Sequence, residues 1–127
     1  MRNLNRVTLI GYLAADPDLK SSDSGISVAT FPVATNRDWK NSDGEKKEAV
    51  DYHKVVAFRK LADICMKYLA KGTPLCLEGR LQNSSFETKE GKMHYTTEIV
   101  LDNLFILSYE KKDGKMQVDV KEVGKED

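Results

Sequence analysis

The chain has 127 residues, enough for one domain with a real core but not for two. Its 20 basic and 20 acidic residues cancel, so the overall charge points to no nucleic acid, acidic substrate or membrane surface, and only local charge placement can carry such a signal. With no apolar run near the roughly 18 residues of a membrane span, and no signal-peptide pattern before Val7, a soluble cytoplasmic protein without membrane association is expected.

Leu4 to Ala14 reads as a first strand, with Gly11 at a bulge or a close approach. Asp16-Pro17 and the polar run Ser21 to Gly25 mark a turn and a loop. Ser27 to Arg37 is a second strand, with Phe31 and Val33 on one face and Pro32 and Ala34 on the other. Pro32 has no N–H to give to a ladder, which predicts an edge or a bulge there. Asn41 to Glu48 is a charged loop around Asp43-Gly44, a hairpin signal.

The third strand, Ala49 to Phe58, is the most informative. Successive strand side chains alternate between faces, so Val50, Tyr52, Lys54, Val56 and Phe58 share one side while Asp51, His53, Val55 and Ala57 share the other. Two aromatics bracketing a lysine can stack bases and neutralise a phosphate. On a strand taken alone, the same aromatics read first as core.

Lys60 to Ala70 is the one helix, its apolar residues Leu61, Ile64, Cys65, Tyr68 and Leu69 recurring at three and four. Lys67 and Lys71 suit the negative end of its dipole, and Gly72 reads as the C′ residue. A fourth strand runs from Thr73 to about Phe86, Glu90-Gly91 makes a hairpin loop, and a fifth runs from Met93 to Tyr109 with a break near Asp102-Asn103. Three strands, one helix and two strands is the order of an all-β OB-fold, a five-stranded Greek-key barrel with its helix between strands three and four.

That domain spans residues 1–109. Residues 110–127 form a short extension with five lysines and six acidic residues. Asp113-Gly114 and the alternating Met116, Val118 and Val120 fit an extra hairpin along the fifth strand; a frayed, solvated tail fits equally.

Cys65 and Cys76 have no CxxC partner and read as small buried hydrophobes. His53, Cys65, Cys76 and His94 match no structural zinc spacing, so no metal or other cofactor is expected. No nucleophile or paired carboxylate neighbours His53, and the chain reads as a binding protein, not an enzyme.

Asn5-Arg6-Val7, Leu9-Ile10-Gly11, Asp16-Pro17, Val33-Ala34-Thr35-Asn36 and Trp39 resemble the start of a bacterial single-stranded DNA-binding protein. The resemblance continues in order through His53-Lys54-Val55-Val56-Ala57-Phe58, Lys60-Leu61-Ala62, Tyr68-Leu69, Lys71-Gly72, Glu78-Gly79-Arg80-Leu81 and Tyr95-Thr96-Thr97-Glu98-Ile99-Val100, covering about residues 3 to 107. It implies a homotetramer of OB-folds that single-stranded DNA wraps with little sequence preference, in replication, recombination and repair. It places stacking aromatics at Trp39, Tyr52, Phe58 and Phe86, and His53 at a subunit interface. Arg6, Lys54, Lys60, Lys71 and Arg80 are the cations expected along the phosphate track, each with a solvated surface charge as its alternative.

Three departures stand out. Many relatives carry Trp where this chain has Tyr52 and Phe86, and basic residues where it has Ser84 and Ser85, which predicts weaker or more salt-sensitive binding, or a different path at that loop. Relatives usually end in a long Gly/Pro/Gln-rich linker and an acidic tip, which recruits replication and repair enzymes. This sequence ends Val123-Gly-Lys-Glu-Asp, so recruitment is in doubt, whether through truncation or through descent from a branch without it. The competing readings are an accessory OB-fold protein of primosomes or of RNA, and a structural interaction domain with its aromatics buried.

Overall fold

A computed structural model describes residues 2–112 and 115–125, with the backbone alone at 108–112, 115–121 and 125. Seven strands and one helix follow in the order β1 (Val7–Leu13), β2 (Asp18–Ser21), β3 (Ser27–Lys40), β4 (Lys46–Phe58), α1 (Lys60–Tyr68), β5 (Pro74–Glu87), β6 (Met93–Lys112) and β7 (Lys115–Lys125). Neighbours in the sheet run β1-β5-β6-β4-β3, and β1 pairs with β3 as well, through Tyr12↔Ala34 and Leu13↔Val33. That second pairing closes a five-stranded barrel, the OB-fold expected from the element order. A short parallel contact, Val55↔Ile99 and Val56↔Val100, joins β4 to β6.

Alternation along the strands fills the barrel. Phe31 and Val33 of β3, Val55 and Ala57 of β4, Leu75 and Leu77 of β5, and Ile99, Leu101 and Leu104 of β6 all lie in one buried cluster. Leu61, Ala62, Cys65 and Leu69, from the helix and its end, complete it. Gly11 lies where β1 passes from β5 to β3; a Cβ there would run into the Ala34 carbonyl oxygen, so the crossing requires glycine.

Several elements depart from expectation. β2 stands where a turn and loop were read, because its four exposed residues carry no apolar alternation; it pairs with β3 from Asp18↔Thr30 to Ser21↔Ser27. β3 and β4 run on as a ribbon to Lys40↔Lys46, so the charged loop shrinks to a turn with Gly44 at φ +78°. Pro32 causes no bulge: the ladder to β4 continues through Pro32↔Lys54. Its carbonyl accepts from the Ala14 N–H at 3.0 Å, on the side where β3 changes partner from β2 to β1, and the missing N–H falls in that gap.

The helix ends at Tyr68. Leu69 is already extended and donates its N–H to the Cys65 carbonyl at 3.0 Å. Gly72 is therefore not the C′ residue but part of the turn into β5, at φ +92°, where its N–H meets the Leu13 carbonyl at 2.8 Å. Ile64 is only half-buried and Tyr68 is exposed, while Ala62 takes the core place that the stripe had given Tyr68. The break expected near Asp102-Asn103 is a bulge: Glu78 faces Asn103 and Gly79 faces Leu101, leaving Asp102 unopposed.

Past that bulge β6 runs on to Lys112, and β7 pairs back along it from Lys112↔Lys115 to Asn103↔Lys125. Val123 packs on the core and Gly124 is buried against Leu61 and Ile64 of the helix. The expected Asp113-Gly114 turn lies outside the described residues. Among those described, no helix is long and apolar enough to cross a membrane.

Candidate nucleic-acid interface

Because Val55 and Ala57 point into the barrel, the alternate residues of β4 point out. Tyr52 is 67% exposed and Phe58 38%, with Lys54 exposed between them. The row is not uniform, since Val56 is only 5% exposed. It pairs with the equally buried Val100 of β6, forming an aliphatic step between Lys54 and Phe58. Tyr52 and Lys54 also line a groove of about 420 Å³ with Thr30, Pro32 and Lys20, rimmed by Asp16 and Asp18.

Phe86 lies near the end of the arm formed by β5 and β6. It sits six residues along from Arg80, which pairs directly with the outward Val100, so by alternation it belongs to the same outer face. Its ring stacks on that of His94, directly opposite on β6, with centroids 5.3 Å apart and planes within 11°. Strand register places this pair together, and His94 was therefore missed as a site residue.

Trp39 does not share that face. In the β3–β4 ladder it pairs with Lys47, in the same parity set as Phe31, Val33 and Val55. On the projecting ribbon this side is open, and Trp39 is 43% exposed. The Arg37 guanidinium sits over the indole at 5.0 Å from its centroid. Arg37 also donates from Nε to Asp51 Oδ2 at 2.8 Å. Counting the register outward from Asp43-Gly44 would have brought Lys47 to Trp39, and alternation would have added Arg37.

The expected cations divide into two groups. Lys54 Nζ is 3.5 Å from Oε2 of Glu98, whose side chain is only 11% exposed, and Arg80 is 3.3 Å from Asp102. Arg6, Lys60 and Lys71 are exposed and make no ion pair among the described residues. The Asn5 side chain bonds both the N–H and the carbonyl of Leu81, at 2.9 and 2.8 Å, anchoring the segment that carries Arg6 to β5. The Lys71 N–H is held by Asp16 Oδ1 at 2.7 Å, and Lys60 opens the helix immediately after Phe58 and Arg59.

His53 is half-buried on the face opposite Tyr52, its Nε2 2.8 Å from Thr35 Oγ1. Cys65 is buried, and that burial pushes its thiol up to about 12. Cys76 is half-buried, and desolvation and then the nearby Glu78 charge raise its thiol as well. No group of three or more His, Cys, Asp or Glu among the described residues could hold a metal ion.

The sequence profile of the single-strand binding protein family matches residues 4–107. Single-stranded DNA-binding protein 1 of Chlorobaculum tepidum is 43% identical over 114 residues, covering 89% of this chain and 70% of the relative. A Staphylococcus aureus protein of the same name is 40% identical over 114 residues, covering 90% and 72%. A solved Plasmodium falciparum SSB in complex with single-stranded DNA superposes with a TM-score of 0.78 at 33% identity, over 85% of this chain and 98% of that one. Barrel, helix position and ordered motifs thus agree with the profile, and the chain belongs to the single-strand binding protein family.

Proposed function

We propose that this protein binds single-stranded DNA with little sequence preference, holding exposed strands unpaired and shielded during replication, recombination and repair. The observation that carries the reading is the outward row of β4, where Tyr52, Lys54 and Phe58 stand exposed while the alternate Val55 and Ala57 lie in the barrel core. Exposed rings on a rigid strand offer π faces that any base can take, each stack contributing about 1–3 kcal/mol. Phe86 and Trp39 add platforms on two projecting arms. Arg6, Lys60 and Lys71, unpaired among the described residues, can meet phosphates, whereas Lys54 and Arg80 must exchange Glu98 and Asp102 for them.

Relatives named single-stranded DNA-binding proteins and the Plasmodium complex with single-stranded DNA support this reading. The exposure of Tyr52 and Phe86 speaks against a structural domain with buried aromatics. The protein acts without catalysis, in the cytoplasm, as a homotetramer around which the strand wraps, with His53 on the side of a neighbouring subunit. The exposed Leu4 and Ile10, at and before β1, are apolar surface that such an assembly would cover.

Competition on a labelled oligo(dT) by unlabelled single-stranded DNA, duplex DNA and RNA tests the ligand. Single-stranded DNA should compete best; equal or better competition by RNA favours the accessory reading. A light-scattering mass of four chains is expected, and one or two chains would undercut wrapping.

A further inference from the structure

Among the described residues, Arg37 is the one exposed cation seen against an aromatic that the family resemblance assigns to base stacking. Being two residues apart on β3, Arg37 and Trp39 share a face, and the guanidinium lies 5.0 Å from the indole centroid. Asp51, on the neighbouring strand, fixes it there through the 2.8 Å bond to Nε. The anchor is itself placed by the ladder, since Asp51 pairs with Thr35, two residues before Arg37. A planar guanidinium over an indole is a favoured arrangement that a lysine ammonium cannot reproduce.

We propose that Arg37 is a positioning residue for the Trp39 platform: it covers one face of the indole and leaves the other as the single seat for a base. This rests on the reading of the protein as a single-stranded DNA binder. Both sides of the ribbon carry charges of both signs, so the covering of one indole face by Arg37 is what distinguishes them. Lys47 stands directly opposite Trp39, its Nζ 3.4 Å from Glu45 Oε2, an ion pair that a phosphate would have to displace. On the reverse side Asp38 and Glu48 oppose one another directly, next to the facing pair Lys40 and Lys46. Arg37 acts through the ring, so its charge alone does not replace it.

Trp39 is the only tryptophan, so its fluorescence reports on this site alone. Arg37→Lys, Arg37→Ala and Asp51→Asn would be compared with the unsubstituted protein, both side chains being solvent-facing and the folding of each variant checked by thermal melts. In the free protein each substitution should shift the Trp39 emission and raise its quenching by acrylamide. Affinity for oligo(dT) should fall by about three- to tenfold in Arg37→Lys and Arg37→Ala alike, with the salt dependence little changed.

Wild-type emission and affinity in all three variants would overturn the proposal. So would wild-type affinity in Arg37→Lys beside a loss in Arg37→Ala that flattens the salt slope by about 0.7, the mark of a plain phosphate contact. Failure of the unsubstituted protein to bind oligo(dT) would remove the functional reading and this proposal together.

Discussion

Tyr52 is two-thirds exposed on a strand that otherwise supplies the barrel with Val55 and Ala57. A ring in that position contributes little to the core, so Tyr52→Ala should leave the melting temperature nearly unchanged. It should lower oligo(dT) affinity by about tenfold, the middle of the range for one lost stack. Phe58→Ala should do the same with a larger loss of stability, because Phe58 is nearly two-thirds covered. Anisotropy titrations beside thermal melts would separate the effects; unfolding by either substitution without a separate loss of binding would return the aromatics to the core. Cys65 offers a different residue-level test. Its thiol is pushed from 9.0 up to about 12 by burial, so above pH 9 the unfolded chain loses a proton that the folded chain keeps. Stability should therefore be unaffected by this group below pH 9 and fall by up to about 1.4 kcal/mol per pH unit from there towards 12. Urea midpoints between pH 9 and 11 should show that fall, and Cys65→Ala should flatten it.

At the scale of elements, the join between β4 and α1 carries the backbone strain. Arg59 sits at φ 59°, ψ −129°, a region that favours glycine, while its N–H bonds the Ser27 carbonyl at 2.8 Å. Arg59→Gly should stabilise the fold by about 1 kcal/mol, the relieved strain exceeding the added chain entropy. A urea midpoint that falls instead would show that the guanidinium contributes more than the strain costs. Strand alternation made the outward row of β4 readable, and turn chemistry located the β3–β4 and β5–β6 hairpins. β2 was not readable, because four exposed residues leave no apolar period. The ion pairs Lys54–Glu98 and Arg80–Asp102 were hidden because each joins different strands. The Phe86–His94 stack and the separation of Trp39 from Tyr52 were hidden for the same reason: both follow from register, which local pattern does not state.

For the molecule as a whole, closure of β1 on β3 turns a row of alternating residues into a barrel with an inside and an outside, and that distinction makes the exposed rings a surface. Element order was enough to name the barrel; residues 110–127 fitted a hairpin or a tail equally, and the pairing of β7 along β6 and its seating against the helix follow from register and from contacts at Val123 and Gly124. A protein with equal numbers of acidic and basic residues has no net attraction for a polyanion. Binding must then come from local cations and from stacking, and it should weaken with salt less steeply than binding by a strongly basic surface. The most direct measurement is a titration of Trp39 fluorescence with oligo(dT) at low and moderate salt. Saturable quenching at micromolar protein or below, weakening as salt rises, is expected; no quenching at low salt would remove base stacking on Trp39.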